Sequence, residues 1–300
     1  MKKRIAVLVS VILTCSMLFA ACGTVEENGS EVSQGSDTGT TATAAPTAAP
    51  EEEAQGDNYF RVGMEAGYPP FNWTQLDASN GGAAIEGAAE YAGGYDVEIA
   101  KKIAEGLGKE LLVVKTEWDG LVPALISGKI DAIIAGMSPT ADRKATIDFS
   151  DNYYKSDLVM VVKKGSTYET AASIQDFSGA KVTAQLNTFH YSVIDQISGV
   201  DKQPAMDNFP AMRVALESGV IDGYVSERPE GVSASAANPN FAMVSFTEGF
   251  ETSEDDTAVA VGLAKGSEYT AKINEILAGI SEEDRISIMD TAIANQPAAE

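Results

Sequence analysis

The chain has 300 residues, with 21 Lys+Arg against 44 Asp+Glu, a formal charge of −23, one His and two Cys. At 44 % hydrophobic and 22 % charged residues it has the composition of a folded globular protein, with chain enough for one large domain or two ordinary ones. The acidic balance argues against a nucleic-acid partner, because each phosphate contact needs a local cation. A lone His190, with Cys15 and Cys22 confined to the N-terminus, excludes most metal sites and leaves no disulfide in the body of the chain, so no metal or cofactor is expected.

The first element is an address. Met1-Lys2-Lys3-Arg4 and the apolar run 5–19 form a basic then hydrophobic leader, too short for a comfortable membrane span. Leu18-Phe19-Ala20-Ala21-Cys22-Gly23 resembles a bacterial lipoprotein box, with Phe19 where the box usually has Leu. That resemblance implies a signal peptide over 1–21 and acylation of Cys22; the alternative is an ordinary signal peptide cut after Ala20 or Ala21. Residues 23–56 are mostly Gly, Ser, Thr, Ala, Pro and Glu without Lys or Arg, a composition that cannot bury enough apolar surface to offset its ordering entropy. Cys22 and this segment (22–56) are expected to form a lipidated tether, holding an extracytoplasmic protein at the outer face of the bacterial cell membrane.

From Asp57 the periodicity changes. The sequence predicts strands at 60–64, 111–114 and 131–137, a helix carrying Val97, Ala100, Ile103, Ala104 and Leu107 on one face, and a short helix over 121–126 stopped at Gly128. Further strands are expected at 158–162, 180–184, 221–225, 241–246 and 257–263, with helices near 188–197, 208–218 and 269–280. Alternating strands and helices predict parallel sheets flanked by helices. The Ala/Gly-rich stretch 76–94 interrupts the pattern as an insertion-like loop.

Four blocks in order carry a resemblance: Glu65-Ala-Gly-Tyr-Pro-Pro-Phe71; Gly94-Tyr-Asp-Val-Glu-Ile-Ala-Lys-Lys-Ile103; Trp118-Asp-Gly-Leu-Val-Pro-Ala-Leu125; and Gly128-Lys-Ile-Asp-Ala-Ile-Ile-Ala-Gly-Met-Ser-Pro-Thr-Ala-Asp-Arg143, running on to Ile147-Asp-Phe-Ser150. With them, residues 57–280 resemble the polar amino-acid-binding family of bacterial extracellular solute-binding proteins, the receptors of ABC importers. The resemblance implies an α/β fold of two lobes, each a mainly parallel sheet flanked by helices. It places lobe 1 at 57–157 plus 256–300 and lobe 2 at 158–255, with hinge strands near 154–158 and 252–258. It further implies a monomer that passes a small amino acid to the transmembrane subunits of a permease, without catalysing a reaction. Two other uses of the fold stay open: a cyclohexadienyl dehydratase, with Glu65 or Glu227 as acid, and a ligand-sensing module.

Binding a zwitterion means desolvating a carboxylate and an ammonium, so each needs a charged, hydrogen-bonded partner. Arg143 has the planar fork that suits a carboxylate, and Ser138-Pro139 reads as the cap and first residue of its helix, though a surface ion pair with Asp142 or Asp148 would also use it. The resemblance assigns Ser138, Gly136 and Thr188 to the same carboxylate site, Glu227 to the α-ammonium, Tyr68 and Trp118 to the ligand's stem, and Glu65 to its side chain. Relatives usually have Asp where Glu227 stands and Gly at Asn187, and Thr188 serves equally as a helix N-cap. Phe71 is expected in the core, and His190 at the cleft mouth without a ligand role. An acid at Glu65 beside two aromatic rings suits a cationic or amide side chain.

Overall fold

The computed structural model describes residues 58–297; the expected signal peptide, Cys22 and linker lie outside the described residues. In chain order, the first stretch comprises β1 (Tyr59–Met64), β2 (Gly67–Tyr68), β3 (Asn72–Gln75), β4 (Ala83–Ala84), β5 (Tyr91–Gly93), α1 (Tyr95–Leu107), β6 (Glu110–Lys115), α2 (Leu121–Ile126), β7 (Ala132–Ile133), α3 (Ala141–Thr146) and β8 (Asp148–Lys155). The second comprises β9 (Leu158–Lys163), β10 (Lys181–Thr183), α4 (Phe189–Val193), β11 (Asp201–Lys202), α5 (Phe209–Ser218), β12 (Gly223–Glu227), α6 (Arg228–Ala237) and β13 (Phe241–Val244). The third returns with β14 (Ala258–Leu263), α7 (Thr270–Ala278) and α8 (Glu282–Asn295).

Two five-stranded sheets form the two lobes. Their strand orders are β6-β1-β7-β14-β8 and β11-β10-β12-β9-β13. The pairing is more mixed than strand–helix alternation predicts. β6-β1-β7 and β11-β10-β12 run parallel, whereas β14 and β9 pair antiparallel with both their neighbours. The chain crosses between sheets at residues 156–157 and returns through 245–257. Strands covered on both faces read as unbroken apolar runs, as in β14, where all six residues of AVAVGL are buried.

Local chemistry sets the helix ends. Gly108 takes the left-handed conformation after α1 and donates to the Ala104 and Glu105 carbonyls. Asn208 caps α5, its side-chain oxygen accepting from the Ala211 N–H at 2.9 Å, and Gly219 closes it. At the start of α1, Gly94 has φ +122°, and a Cβ there would stand 2.4 Å from the Phe71 carbonyl. That close approach seats Asp96 in the core, where its carboxylate accepts from the Tyr153 hydroxyl at 2.6 Å and the Asn72 amide at 2.8 Å. Burial pushes Asp96 up to about 6, against those two hydrogen bonds. The GYD motif is therefore a structural clamp between α1, β3 and β8.

The insertion-like stretch 76–94 is not simply a loop. It supplies β4 and β5, which with β2 and β3 make a small antiparallel sheet in the order β2-β3-β5-β4. β2 carries Tyr68, so this sheet fixes one wall of the site. α8 packs on both α1 and α6, and the Gln296 side chain donates to the Ser233 carbonyl at 3.2 Å.

Candidate binding crevice

Tyr68, Trp118, Gly136, Ser138, Arg143 and Thr188 line one tight pocket between the lobes, with about 10 Å³ of free space. Glu65 and Glu227 do not line it: Glu65 bonds Gln185 and faces a separate cavity with Pro69, Trp73 and Lys115, and Glu227 is fully buried next to His190.

Arg143 enters from α3, whose N-cap is Thr140 rather than Ser138. The Thr140 side chain accepts from the Arg143 N–H, and the helix begins at Ala141, two residues beyond Pro139. Ser138 contributes instead through its carbonyl, which accepts from Arg143 Nη1 at 3.0 Å. Nη2 donates across the crevice to the Asn187 carbonyl of the second lobe at 3.2 Å, and the guanidinium lies 5.0 Å from the centre of the Trp118 ring. Burial lowers Arg143 to about 10, with Glu227 pulling it back up, so it stays cationic at neutral pH. No ion pair to Asp142 or Asp148 forms at Arg143; Asp148 bonds Lys265 instead.

Tyr68 is sandwiched within the protein. Its ring stacks on Phe209 of the second lobe with centroids 4.2 Å apart, and on Phe71 at 5.0 Å. Gly136, at φ +62°, lies under it: a Cβ there would stand 2.7 Å from Tyr68 Cε1. Asn187 adopts φ +55°, the left-handed backbone that glycine would supply, and its amide donates to Asp119 across the crevice at 2.8 Å. Thr188 sits at the N-cap of α4 without capping it, because its hydroxyl donates to the Gln185 carbonyl at 2.7 Å. Phe71 is fully buried in the core.

The acids behind the crevice lack neutralising partners. Glu65 accepts from Gln185 Nε2 at 3.0 Å through one oxygen, and its other oxygen is buried without a partner. Burial raises it to about 7 against the Gln185 hydrogen bond, with Glu117, Asp119 and Asp207 adding to the rise. Glu227 ends β12, is fully buried, and neither of its oxygens accepts a hydrogen bond. The Tyr68 hydroxyl is likewise unpartnered and pushed well above its ordinary value, by burial first and then by Glu227, Glu230 and Asp96. A guanidinium in the wall with two incompletely partnered carboxylates near it suits a small molecule carrying both signs of charge.

The sequence pattern described as bacterial extracellular solute-binding proteins, family 3, matches residues 60–291. The chain belongs to this family. A probable histidine-binding protein of Campylobacter jejuni is 30 % identical over 243 residues, 80 % of this solute-binding protein and 86 % of the relative. The arginine-binding extracellular protein ArtP of Bacillus subtilis is 27 % identical over 239 residues, covering 74 % and 80 %. Among solved structures, the Gly52Ala mutant of arginine-bound ArgBP from T. maritima superposes with TM-score 0.63 at 30 % identity, covering 75 % of this chain and 96 % of that one. Its relatives are named as binding proteins, and this solute-binding protein is extracytoplasmic and a binder rather than an enzyme.

The fold brings to the crevice four further residues that the sequence alone does not assign to it, Gln185, Phe189, His190 and Phe209. The 185–189 stretch resembles the family's carboxylate-site loop but is assigned to the site only through Thr188, and Phe209 joins through its stacking on Tyr68 across the lobes, for which a single sequence carries no signal. His190 is not at the mouth: it lies in the wall, 7 % exposed, with Nε2 3.6 Å from Glu227. Its uniqueness in the chain was the one available pointer.

Proposed function

We propose that this protein is the substrate-binding lipoprotein of an ABC importer, taking a cationic amino acid between its lobes. The observation that carries this is the charge count around the crevice: one arginine against two buried, incompletely partnered acids, Glu65 and Glu227. An amino acid with a cationic side chain supplies two positive groups and one negative, which complements that set. Arg143, with Ser138 and Thr188 beside it, takes the α-carboxylate, Glu227 the α-ammonium, and Glu65 the side chain, whose stem lies along Trp118 and the edge of Tyr68, the Tyr68 faces being taken by Phe209 and Phe71. Because these groups come from both lobes, the ligand favours the closed form by its differential affinity for it. The hinge between lobe 1 (57–157 plus 256–300) and lobe 2 (158–255) lies near 154–158 and 252–258, where the chain passes between the sheets. A monomer anchored through Cys22 then presents the closed form to the permease.

A thermal-shift screen of the twenty amino acids plus ornithine and cystine tests this. At a hundredfold excess over Kd a ligand stabilises the native state by about 2.7 kcal/mol, or roughly 5–10 °C in Tm for a protein of this size. Arginine, lysine and ornithine are expected to give such shifts, with glutamine weaker. A screen in which nothing shifts, or in which aspartate and glutamate shift most, would overturn the reading.

The Glu65 carboxyl adds a pH signature. Its position at about 7 means it protonates as the medium becomes mildly acidic, and a cationic side chain needs it ionised. Affinity for L-arginine is therefore flat above that pH and falls below it, by up to roughly tenfold per pH unit. Calorimetry between about pH 5.5 and 8 on wild type and Glu65→Gln checks this, the variant losing the slope. Identical pH profiles for the two proteins would remove Glu65 from the ligand's side-chain site.

A further inference from the structure

One ionisable group in the crevice wall has no part in the reading above. His190, the only histidine in the chain, projects from α4 into the cavity that Arg143, Thr188 and Tyr68 also line. It is 7 % exposed, and neither ring nitrogen has a hydrogen-bond partner. Its Nε2 stands 3.6 Å from Oε1 of Glu227, which is itself fully buried with both oxygens unpartnered. The Phe189 ring, with its centroid 4.2 Å from that of His190, covers it without offering a polar contact.

Two buried polar side chains left unsatisfied against each other are costly, and such pairs call for an explanation. The missing groups can be counted. A neutral imidazole brings one N–H and one acceptor nitrogen, and a carboxylate brings two acceptor oxygens. Acceptors outnumber donors on this side of the crevice. On the opposite side the balance is reversed, since the Arg143 fork carries five N–H donors and two of its nitrogens are engaged by the Ser138 and Asn187 carbonyls. An α-ammonium brings three N–H groups and accepts none, which matches the His190–Glu227 side.

We propose that His190 is a ligand-binding residue: its imidazole accepts an N–H of the ligand's α-ammonium while Glu227, 3.6 Å behind it, supplies the opposing charge, so the two side chains together read the amino end. This rests on an amino acid occupying the crevice as described above. The reason for a histidine is geometric. It lines the cavity, whereas Glu227 stands behind it, so the imidazole meets the ammonium at the wall and the carboxylate supplies the charge from one layer further in.

The sole histidine gives an unambiguous test in the unmodified protein. The imidazole C–H signals in a proton–carbon NMR spectrum belong to His190 alone. They are expected to shift on saturation with L-arginine and to stay in place with 5-guanidinopentanoate, the same molecule without its α-amino group. Calorimetry supplies the second arm. His190→Ala is expected to lose roughly tenfold or more in affinity for L-arginine, with binding of 5-guanidinopentanoate changed less than about twofold. His190→Gln, which keeps an acceptor in the wall, is expected to recover part of the loss. Imidazole signals that L-arginine leaves unmoved would overturn the assignment, and so would a variant that weakens both ligands equally, because that is what a merely structural role produces. If wild type and variants alike bind neither compound, the amino-acid reading falls first; if wild type binds L-arginine and His190→Ala binds it equally well, only the role of His190 falls.

Discussion

Arg143→Ala is expected to abolish amino-acid binding while leaving a protein that unfolds cooperatively. The guanidinium is the cation that lines the crevice, and the ligand's carboxylate has no second charged donor there to turn to. Removing one member of a desolvated charge pair costs about 2–5 kcal/mol or more, so affinity should fall at least about thirtyfold. The fold has little at stake, because Arg143 is half-buried and its protein contacts are two carbonyls and one ring face. Arg143→Lys is expected to rescue little: a lysine keeps the charge but loses the fork and the stacking on Trp118. Calorimetry with L-arginine beside a thermal melt separates the outcomes. Binding within about threefold of wild type in Arg143→Ala would mean that the carboxylate is held elsewhere.

The largest effect on stability is expected at a position that never meets the ligand. Glu230 of α6 is fully buried, and one of its oxygens collects three hydrogen bonds, from Arg213 Nε at 3.1 Å, Arg213 Nη2 at 2.8 Å and the Tyr224 hydroxyl at 2.9 Å. Burial pulls the Arg213 guanidinium down, and the carboxylate more than reverses this, leaving it above its ordinary value. Arg213→Met keeps much of the volume and strands a buried carboxylate, a loss of about 3–5 kcal/mol. Urea denaturation should show a lower midpoint at unchanged slope. The double variant Arg213→Met with Glu230→Gln should recover most of the loss, because the stranded charge is gone. A loss below about 1 kcal/mol in the single variant would mean that water reaches Glu230 in the folded protein.

What could be read from the chain follows from which signals are local. β1, α1, α2, β9 and α5 stand out because their apolar spacing and caps, such as Gly108 and Asn208, are written within a few residues. α6 is invisible to the same criteria: Arg228–Ala237 is RPEGVSASAA, small and polar, and it is helical because its face packs on β9 and β13. α8 has few apolar residues in register, and β8, DFSDNYYK, hides a sheet strand in polar sequence. Strand direction is also absent from local pattern, which is why the sheets are more mixed than alternation suggests. In the crevice, Tyr68, Trp118 and Arg143 were legible through their motif blocks. Gln185, His190 and Phe209 were not, because their partners Glu65, Glu227 and Tyr68 lie in distant parts of the chain.

The strand orders have one consequence for how the molecule is assembled. The sheet made of β9 to β13 draws all its strands from one uninterrupted stretch, whereas the sheet holding β1 keeps a gap between β7 and β8 until β14 arrives from beyond residue 257. During synthesis the C-terminal lobe therefore has its full set of strands first, and the N-terminal lobe, although it emerges earlier, waits half-built with two exposed edges. Pairings that span more than a hundred residues close late. Refolding is expected to be paced by the insertion of that single returning strand into a slot already flanked on both sides.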